Sequence, residues 1–280
     1  MTAKLERLSD LVEHARYEVI PTKTTEARVL ERVGRSRTVT ITASSAQGIE
    51  ATIDLALRLS GHGYKVVPHL SARLIVDEMH LKEIVGRLVE VGVDDVFVPA
   101  GDADPPAGKF DSSLDVLVEL GNLGNPFSRV GITGYPDKHP KIMDDVTVQA
   151  MWDKRHYATY IVSNLCFDAS LYRRWVRRVR ERGVMLPIVV GLAGPVDSAK
   201  LISIATQIGV DSSKKMLFEH GSWFARFLTP GGYNPTRLLR KLEGTITDPR
   251  SDIEGLHVFT FNQLEKTEEW RRSLSAGGTN

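Results

Sequence analysis

Tyr17-Glu18-Val19-Ile20-Pro21 is an apolar stretch that carries one carboxylate, and it is the first of eight such runs. The others are Thr38–Ser44, Lys65–Ser71, Asp94–Asp102, Arg129–Tyr135, Tyr160–Asp168, Pro187–Gly194 and Gly255–Asn262. Each is short enough for a strand, nearly all end in polar residues or glycine, and segments of helical periodicity lie between them. Leu5, Leu8, Leu11, Val12 and Ala15 recur at helical spacing and predict a helix over residues 3–16. Leu81, Ile84, Val85, Leu88 and Val91 predict another, closed by Gly92. Eight strand–helix units in 280 residues predict an α/β fold, a (β/α)8 TIM barrel with an extra N-terminal helix, as a single domain over 1–280. In that fold the strand ends carry the chemistry, so the candidate site is a ring of Glu18, Thr42, His69, Asp102, Tyr135, Asn164, Gly191 and Asn262.

The bulk composition narrows the function classes. A formal net charge of +1 lacks the basic footprint of a nucleic-acid binder. No run approaches the roughly 20 apolar residues of a membrane span, and the charged start Met1-Thr2-Ala3-Lys4-Leu5-Glu6-Arg7 has no apolar signal core, so a cytoplasmic location is expected. One cysteine, Cys166, excludes an intrachain disulfide; its apolar surroundings predict a buried, inert thiol. Six arginines between 173 and 182 are expected on the solvent side of a helix whose Leu171, Trp175 and Val179 face inward. Glycine-rich nucleotide loops, nucleophile elbows and Cys-x-x-Cys or His-Glu-x-x-His spacings are absent, and the histidines are scattered, so no metal site is expected.

The strand ends suggest specific roles. Burying Glu18 among Tyr17, Val19 and Ile20 disfavours its charged form and keeps a proton on it, as a general acid requires; the alternative is an ion pair with a base such as Lys23. Asp102 follows Gly101, where the missing side chain lets a flat ligand approach, and its carboxylate can accept from a planar pair of N–H donors; it could equally cap the loop before Pro105. Asn164 can donate and accept, or serve as a satisfied core amide. His69 ends the third run after Pro68. Gly134-Tyr135-Pro136-Asp137-Lys138-His139-Pro140 presents a phenol and an imidazole on a two-proline turn.

These fragments, in this order, resemble the methylenetetrahydrofolate reductases. Tyr17–Thr22 is similar to the opening Phe-Glu-Phe-x-Pro-Pro strand of that family, and Pro68-His69-Leu70-Ser71 to its Pro-His-Leu-Thr. Gly101–Pro106 is similar to Arg-Gly-Asp-x-Pro-Pro, and Gly134–Pro140 to Gly/Ala-Tyr-Pro-Glu-x-His-Pro. Asn164–Asp168 stands at Gln-x-Phe-Phe-Asp, and Gly255–Asn262 resembles the closing Gly-x-His-Phe-Tyr-Thr-Leu-Asn. The resemblance implies reduction of 5,10-methylenetetrahydrofolate, with Glu18 as the acid that opens the five-membered ring to an iminium. It implies that Asp102 and Asn164 contact folate; Gly101 and Thr42, beside them at the strand ends, are further candidate folate contacts. His69, Tyr135, His139 and Gly191 are the candidates for the cofactor side of the cleft.

Two departures bear on the cofactor. The family's usual electron carrier is FAD, placed between NAD(P)H and folate. Ala100 replaces the arginine of its Arg-Gly-Asp motif, and Trp152-Asp153 are aligned with basic residues that face the FAD phosphates, with Lys154 and Arg155 just beyond. Loss of a guanidinium and gain of a carboxylate weaken a pyrophosphate site. The expectation is therefore an enzyme with FAD absent, in which NADH or NADPH passes hydride directly to folate. A conventional FAD-dependent reductase and a non-catalytic folate-binding barrel are the alternatives. The expected partners are folate and nicotinamide, without nucleic acid or membrane.

Overall fold

The computed structural model describes residues 3–137, 143–196 and 235–276. After helix α1 (Ala3–Glu13), eight strands follow: β1 (Arg16–Val19), β2 (Thr38–Ile41), β3 (Lys65–Pro68), β4 (Asp95–Phe97), β5 (Arg129–Gly134), β6 (Tyr160–Ser163), β7 (Ile188–Ala193) and β8 (Ile253–Phe259). The helices between them are α2 (Thr25–Arg32), α3 (Gly48–Gly61), α4 (Glu78–Glu90), α5 (Ser113–Asn122), α6 (Asp144–Lys154), α7 (Ala169–Glu181) and α8 (Thr236–Ile246), and α9 (Leu264–Ala276) follows β8. All strand pairs are parallel in the order β3-β2-β1-β8-β7-β6-β5-β4. The β3–β4 seam is joined by a His69–Phe97 bridge and by Leu70 N–H donating to Phe97 O at 2.8 Å. The fold is the expected (β/α)8 barrel.

The ladders are shorter than the apolar runs. Asp94–Asp102 yields only Asp95–Phe97, and Tyr160–Asp168 only Tyr160–Ser163. Beyond each ladder the chain stays buried at Val98, Leu70, Ala72 and Cys166, so apolarity continues after the strand hydrogen bonds stop. The first helix ends at Glu13 rather than 16, because Arg16 already pairs with His257 in the β1–β8 ladder. Val91 is exposed at the end of α4, where Gly92 turns the chain with φ +77°. Arg180 is also not on the solvent side: its guanidinium donates to Val184 O, Leu186 O and Ser251 O, tying α7 to the entries of β7 and β8.

Alternation along each strand divides two cores. Tyr17, Val19, Val39, Ile41, Val130, Ile132, Val190, Leu256 and Val258 pack outward against the helices. Tyr17 also reaches Glu268 of α9 through its hydroxyl at 2.8 Å, and burial together with that carboxylate pushes its phenol well above the ordinary range. The inward side chains Val67, Phe97, Tyr160, Val162 and Val189 fill the barrel as a separate cluster. Below that plug, at the strand entries, lies a charged floor. Asp95 is bound by Arg16 (3.4 Å), Arg129 (3.3 Å) and the Tyr160 hydroxyl (2.7 Å), and both guanidiniums lie over the Tyr160 ring, 4.6 and 4.7 Å from its centre. Burial raises the Asp95 carboxyl above its usual range, against the pull of both arginines.

Candidate active site at the strand ends

Glu18 points into the barrel above the plug, its side chain 14% exposed. Its backbone is fixed from β8 and the turn after it. Thr260 Oγ1 donates to Glu18 O at 2.6 Å, and Asn262 holds both polar groups of Ile20: Ile20 N–H donates to Oδ1 and Nδ2 donates to Ile20 O, each at 2.9 Å. Asn262, expected in the ring of reacting groups, is therefore a clamp on the end of β1. Its φ of 56° suits asparagine. Lys23 is not the partner of Glu18. Two imidazoles are: His257 Nε2 lies 3.0 Å from Oε2, and His69 Nε2 lies 3.8 Å from the same oxygen. Oε1 takes no hydrogen bond among the described residues.

His69 and His257 are both buried, their rings 6.3 Å apart, each edge-on to a phenylalanine at 4.7 Å, Phe97 and Phe259 respectively. Burial, with His257 nearby, pushes His69 down to about 4 despite the Glu18 carboxylate, so it is neutral at physiological pH. His69 Nε2 and His257 Nδ1 are buried without a hydrogen-bond partner among the described residues. His257 has no role legible in the sequence alone. The missing signal was topological: in a closed barrel β8 adjoins β1, so an inward residue of β8 must face an inward residue of β1.

The other ring members are distributed around the mouth. Thr42 N–H donates to Val19 O at 3.0 Å, placing it beside the end of β1, and its own carbonyl accepts from Thr52 Oγ1. Gly101, at φ +89°, lies so close to the β3 tail that a Cβ there would stand 2.0 Å from Ser71 Oγ; its missing side chain admits Ser71. Asp102 is exposed on the loop that follows. Asn164 N–H donates to Gly134 O at 2.7 Å, which sets Asn164 beside Tyr135; its amide is exposed, with Oδ1 accepting from Leu165 N–H. Tyr135 is half-buried, and burial raises its phenol above the ordinary value. Gly191 is buried between strands, where a Cβ would stand 1.9 Å from Ser163 O. His139 lies outside the described residues. Cys166 is buried, as expected, with Sγ 3.4 Å from Asp168 O.

Trp152 and Asp153 fall far from this mouth. They occupy the last turn of α6, shortly before β6 starts, and Trp152 packs on Gly183 between α7 and β7, at the entry end of the strands. Arg155 lies 3.4 Å over the Trp152 ring, and Asp153 accepts from Gln149. The helix starts at the mouth and runs toward the strand entries, so these residues stand at its far end. At the loop carrying Ala100, Arg73 Nε donates to Ala103 O at 2.7 Å and its guanidinium reaches Asp104 and Asp111, so it braces the loop. Among the described residues no cluster of His, Cys, Asp and Glu could hold a metal ion, and no helix is long and apolar enough to cross a membrane.

A closed (β/α)8 barrel with an acid held between imidazoles at its strand ends has the layout of a barrel enzyme. The sequence is more specific: residues 8–213 match the methylenetetrahydrofolate reductase family, and the chain belongs to it. A protein of Oryza sativa subsp. japonica, named probable methylenetetrahydrofolate reductase (NADH), is 24% identical over 174 residues, 54% of this chain and 29% of that protein. Methylenetetrahydrofolate reductase 2 of Saccharomyces cerevisiae is 25% identical over 101 residues, 34% of this chain and 17% of that protein. The matched stretch thus spans under a third of either relative. Among solved structures, oxaloacetate acetylhydrolase in complex with oxalate superposes with a TM-score of 0.53 at 10% identity, over 94% of this chain and 82% of that one. A 2,3-dimethylmalate lyase does so with 0.52 at 10% identity, over 98% and 86%. Such low identity is a likeness of fold alone.

Proposed function

We propose that this chain, folded as one barrel domain, reduces 5,10-methylenetetrahydrofolate to 5-methyltetrahydrofolate, with reduced nicotinamide as the direct hydride donor and no flavin between them. The observation that carries the reductase reading is Glu18: an inward carboxyl at the mouth, backbone-clamped, with Oε1 unengaged and the family's opening motif around it. Glu18 gives its proton to the leaving nitrogen of the five-membered ring. The carbon–nitrogen bond breaks with its electron pair going to that nitrogen, leaving an iminium. Hydride then adds to the iminium carbon, and the nicotinamide is oxidised. Asp102 and Asn164, both exposed at the mouth, are the proposed folate contacts, with Thr42 and Gly101 beside them. His69, Tyr135, Gly191 and His139 are assigned to the nicotinamide side.

Direct transfer rests on Ala100. Where the family's motif has arginine there is a methyl group, and Arg73 nearby is engaged by the loop that carries Ala100. The position of Trp152 and Asp153 lends no support. The rice relative is named as an NADH enzyme, which favours NADH as the donor. Without a flavin both substrates are bound together, so kinetics are sequential and the rings stack about 3–3.5 Å apart. Three measurements test this. Glu18→Gln should bind folate but lose about 10²–10⁴ in kcat, and near-native kcat refutes the acid role. Purified protein should turn over without bound or added FAD. Deuterium on the transferred position of NADH should appear in the product methyl group without washing out to solvent. A stoichiometric flavin whose removal abolishes activity would establish the FAD-dependent alternative.

A further inference from the structure

We infer that His257 is a positioning residue for Glu18: its Nε2–H donates to Oε2, which reserves Oε1 as the oxygen that carries and delivers the proton. The inference rests on the acid role proposed for Glu18 and extends it to a residue that role does not name.

Three observations carry it. Both histidine contacts fall on Oε2, at 3.0 Å from His257 and 3.8 Å from His69, and none falls on Oε1. Only the shorter is a hydrogen bond. The donor is also enclosed by packing. His257 is 2% exposed, lies in the β1–β8 ladder opposite Arg16, and has Phe259 edge-on against its ring. The titratable groups that face Glu18 among the described residues are His257 from β8 and His69 from the end of β3. Arg16, one pleat below on β1, is engaged by Asp95 and Glu254. A neutral His69 brings no charge, so stabilisation of the carboxylate left after proton transfer falls to the His257 N–H. With Nε2 protonated, Nδ1 is the bare nitrogen, which agrees with its lack of a partner.

The test separates donation from packing. His257→Gln can place an amide N–H where Nε2 stands; His257→Leu fills the space without a donor. In His257→Leu, kcat should fall about tenfold to a hundredfold at nearly unchanged folate KM, part of the roughly 10²–10⁴ that a general acid supplies. The alkaline limb of kcat/KM should move to higher pH, because the carboxylate loses a donor that favours it. His257→Gln should restore both. On a Glu18→Gln background, His257→Leu should cause no further loss, which shows that it acts through Glu18. A readout without turnover keeps this distinct from the reductase reading. The ¹³C signal of the Glu18 carboxyl, assigned with Glu18→Gln, should titrate at higher pH in His257→Leu than in wild type, and as wild type in His257→Gln. An unmoved or downward-shifted signal in the leucine variant overturns the inference even if the enzyme reduces folate. An upward shift in a protein without reductase activity upholds the pairing and overturns only the assigned reaction.

Discussion

Replacing Asn262 with alanine should destabilise the barrel by about 3 kcal/mol. The side chain makes two 2.9 Å bonds to the backbone of Ile20, one in each direction. Each such bond contributes about 1 kcal/mol net, and part-buried groups left unpaired cost at least that. Alanine must also adopt the φ of 56°, a left-handed conformation that costs it roughly 1 kcal/mol where asparagine is tolerated. Asn262→Gly separates the contributions: it loses the two bonds and escapes the dihedral penalty, so its loss should be about 2 kcal/mol. Urea unfolding followed by tryptophan fluorescence reads both, provided that the slope is unchanged. An alanine variant within about 0.5 kcal/mol of wild type would refute the clamp, since that is the scatter of an indifferent surface site. A glycine variant less stable than the alanine one would refute the dihedral part.

Two further outcomes follow from buried polar groups. His69 titrates near 4 when folded, below the ordinary 6.5, so the unfolded chain takes up a proton that the folded chain refuses. Stability should therefore fall as pH drops from about 6.5 to about 4, by up to roughly 3 kcal/mol, and level off below; denaturation of His69→Gln should lack that slope, and an unchanged slope rejects the assignment. Tyr160→Phe removes the hydroxyl that donates to Asp95 at 2.7 Å beneath the plug but keeps the ring between Arg16 and Arg129. Thermal unfolding should show a loss of about 1.5–3 kcal/mol, and a neutral change would mean that the arginines alone satisfy the carboxylate.

The repeating pattern of eight apolar runs was enough to read the barrel, because parallel strands buried on both faces leave unbroken apolar segments. Their ends were not legible, since the tails at Leu70, Val98 and Cys166 remain buried after the ladder stops. Glu18 stood out because a carboxylate inside a strand is costly. His257 did not, because an imidazole in an alternating strand is unremarkable until its neighbour, 239 residues away in the chain, is known. The place of Trp152 and Asp153 was not legible for a related reason: an alignment gives position along a helix but not which end of the barrel that turn reaches. Gly101 and Gly191 read in the sequence as places for a ligand, and the fold adds another use for their missing side chains: each leaves room for this protein's own Ser71 or Ser163.

The charged floor of Arg16, Asp95, Arg129 and Glu254, capped by Tyr160 and the apolar plug, has a consequence for traffic. Among the described residues it lies between the strand entries and Glu18. If Glu18 donates a proton in each cycle and this floor bars the lower side, the replacement enters through the mouth at the strand ends, where the proposed substrates would also bind. Recharging the acid and loading the substrates then compete for one passage, so the acid is rearmed in the interval after product departs. Proton supply and product exit become successive uses of a single opening, and a bulky product that lingers delays both.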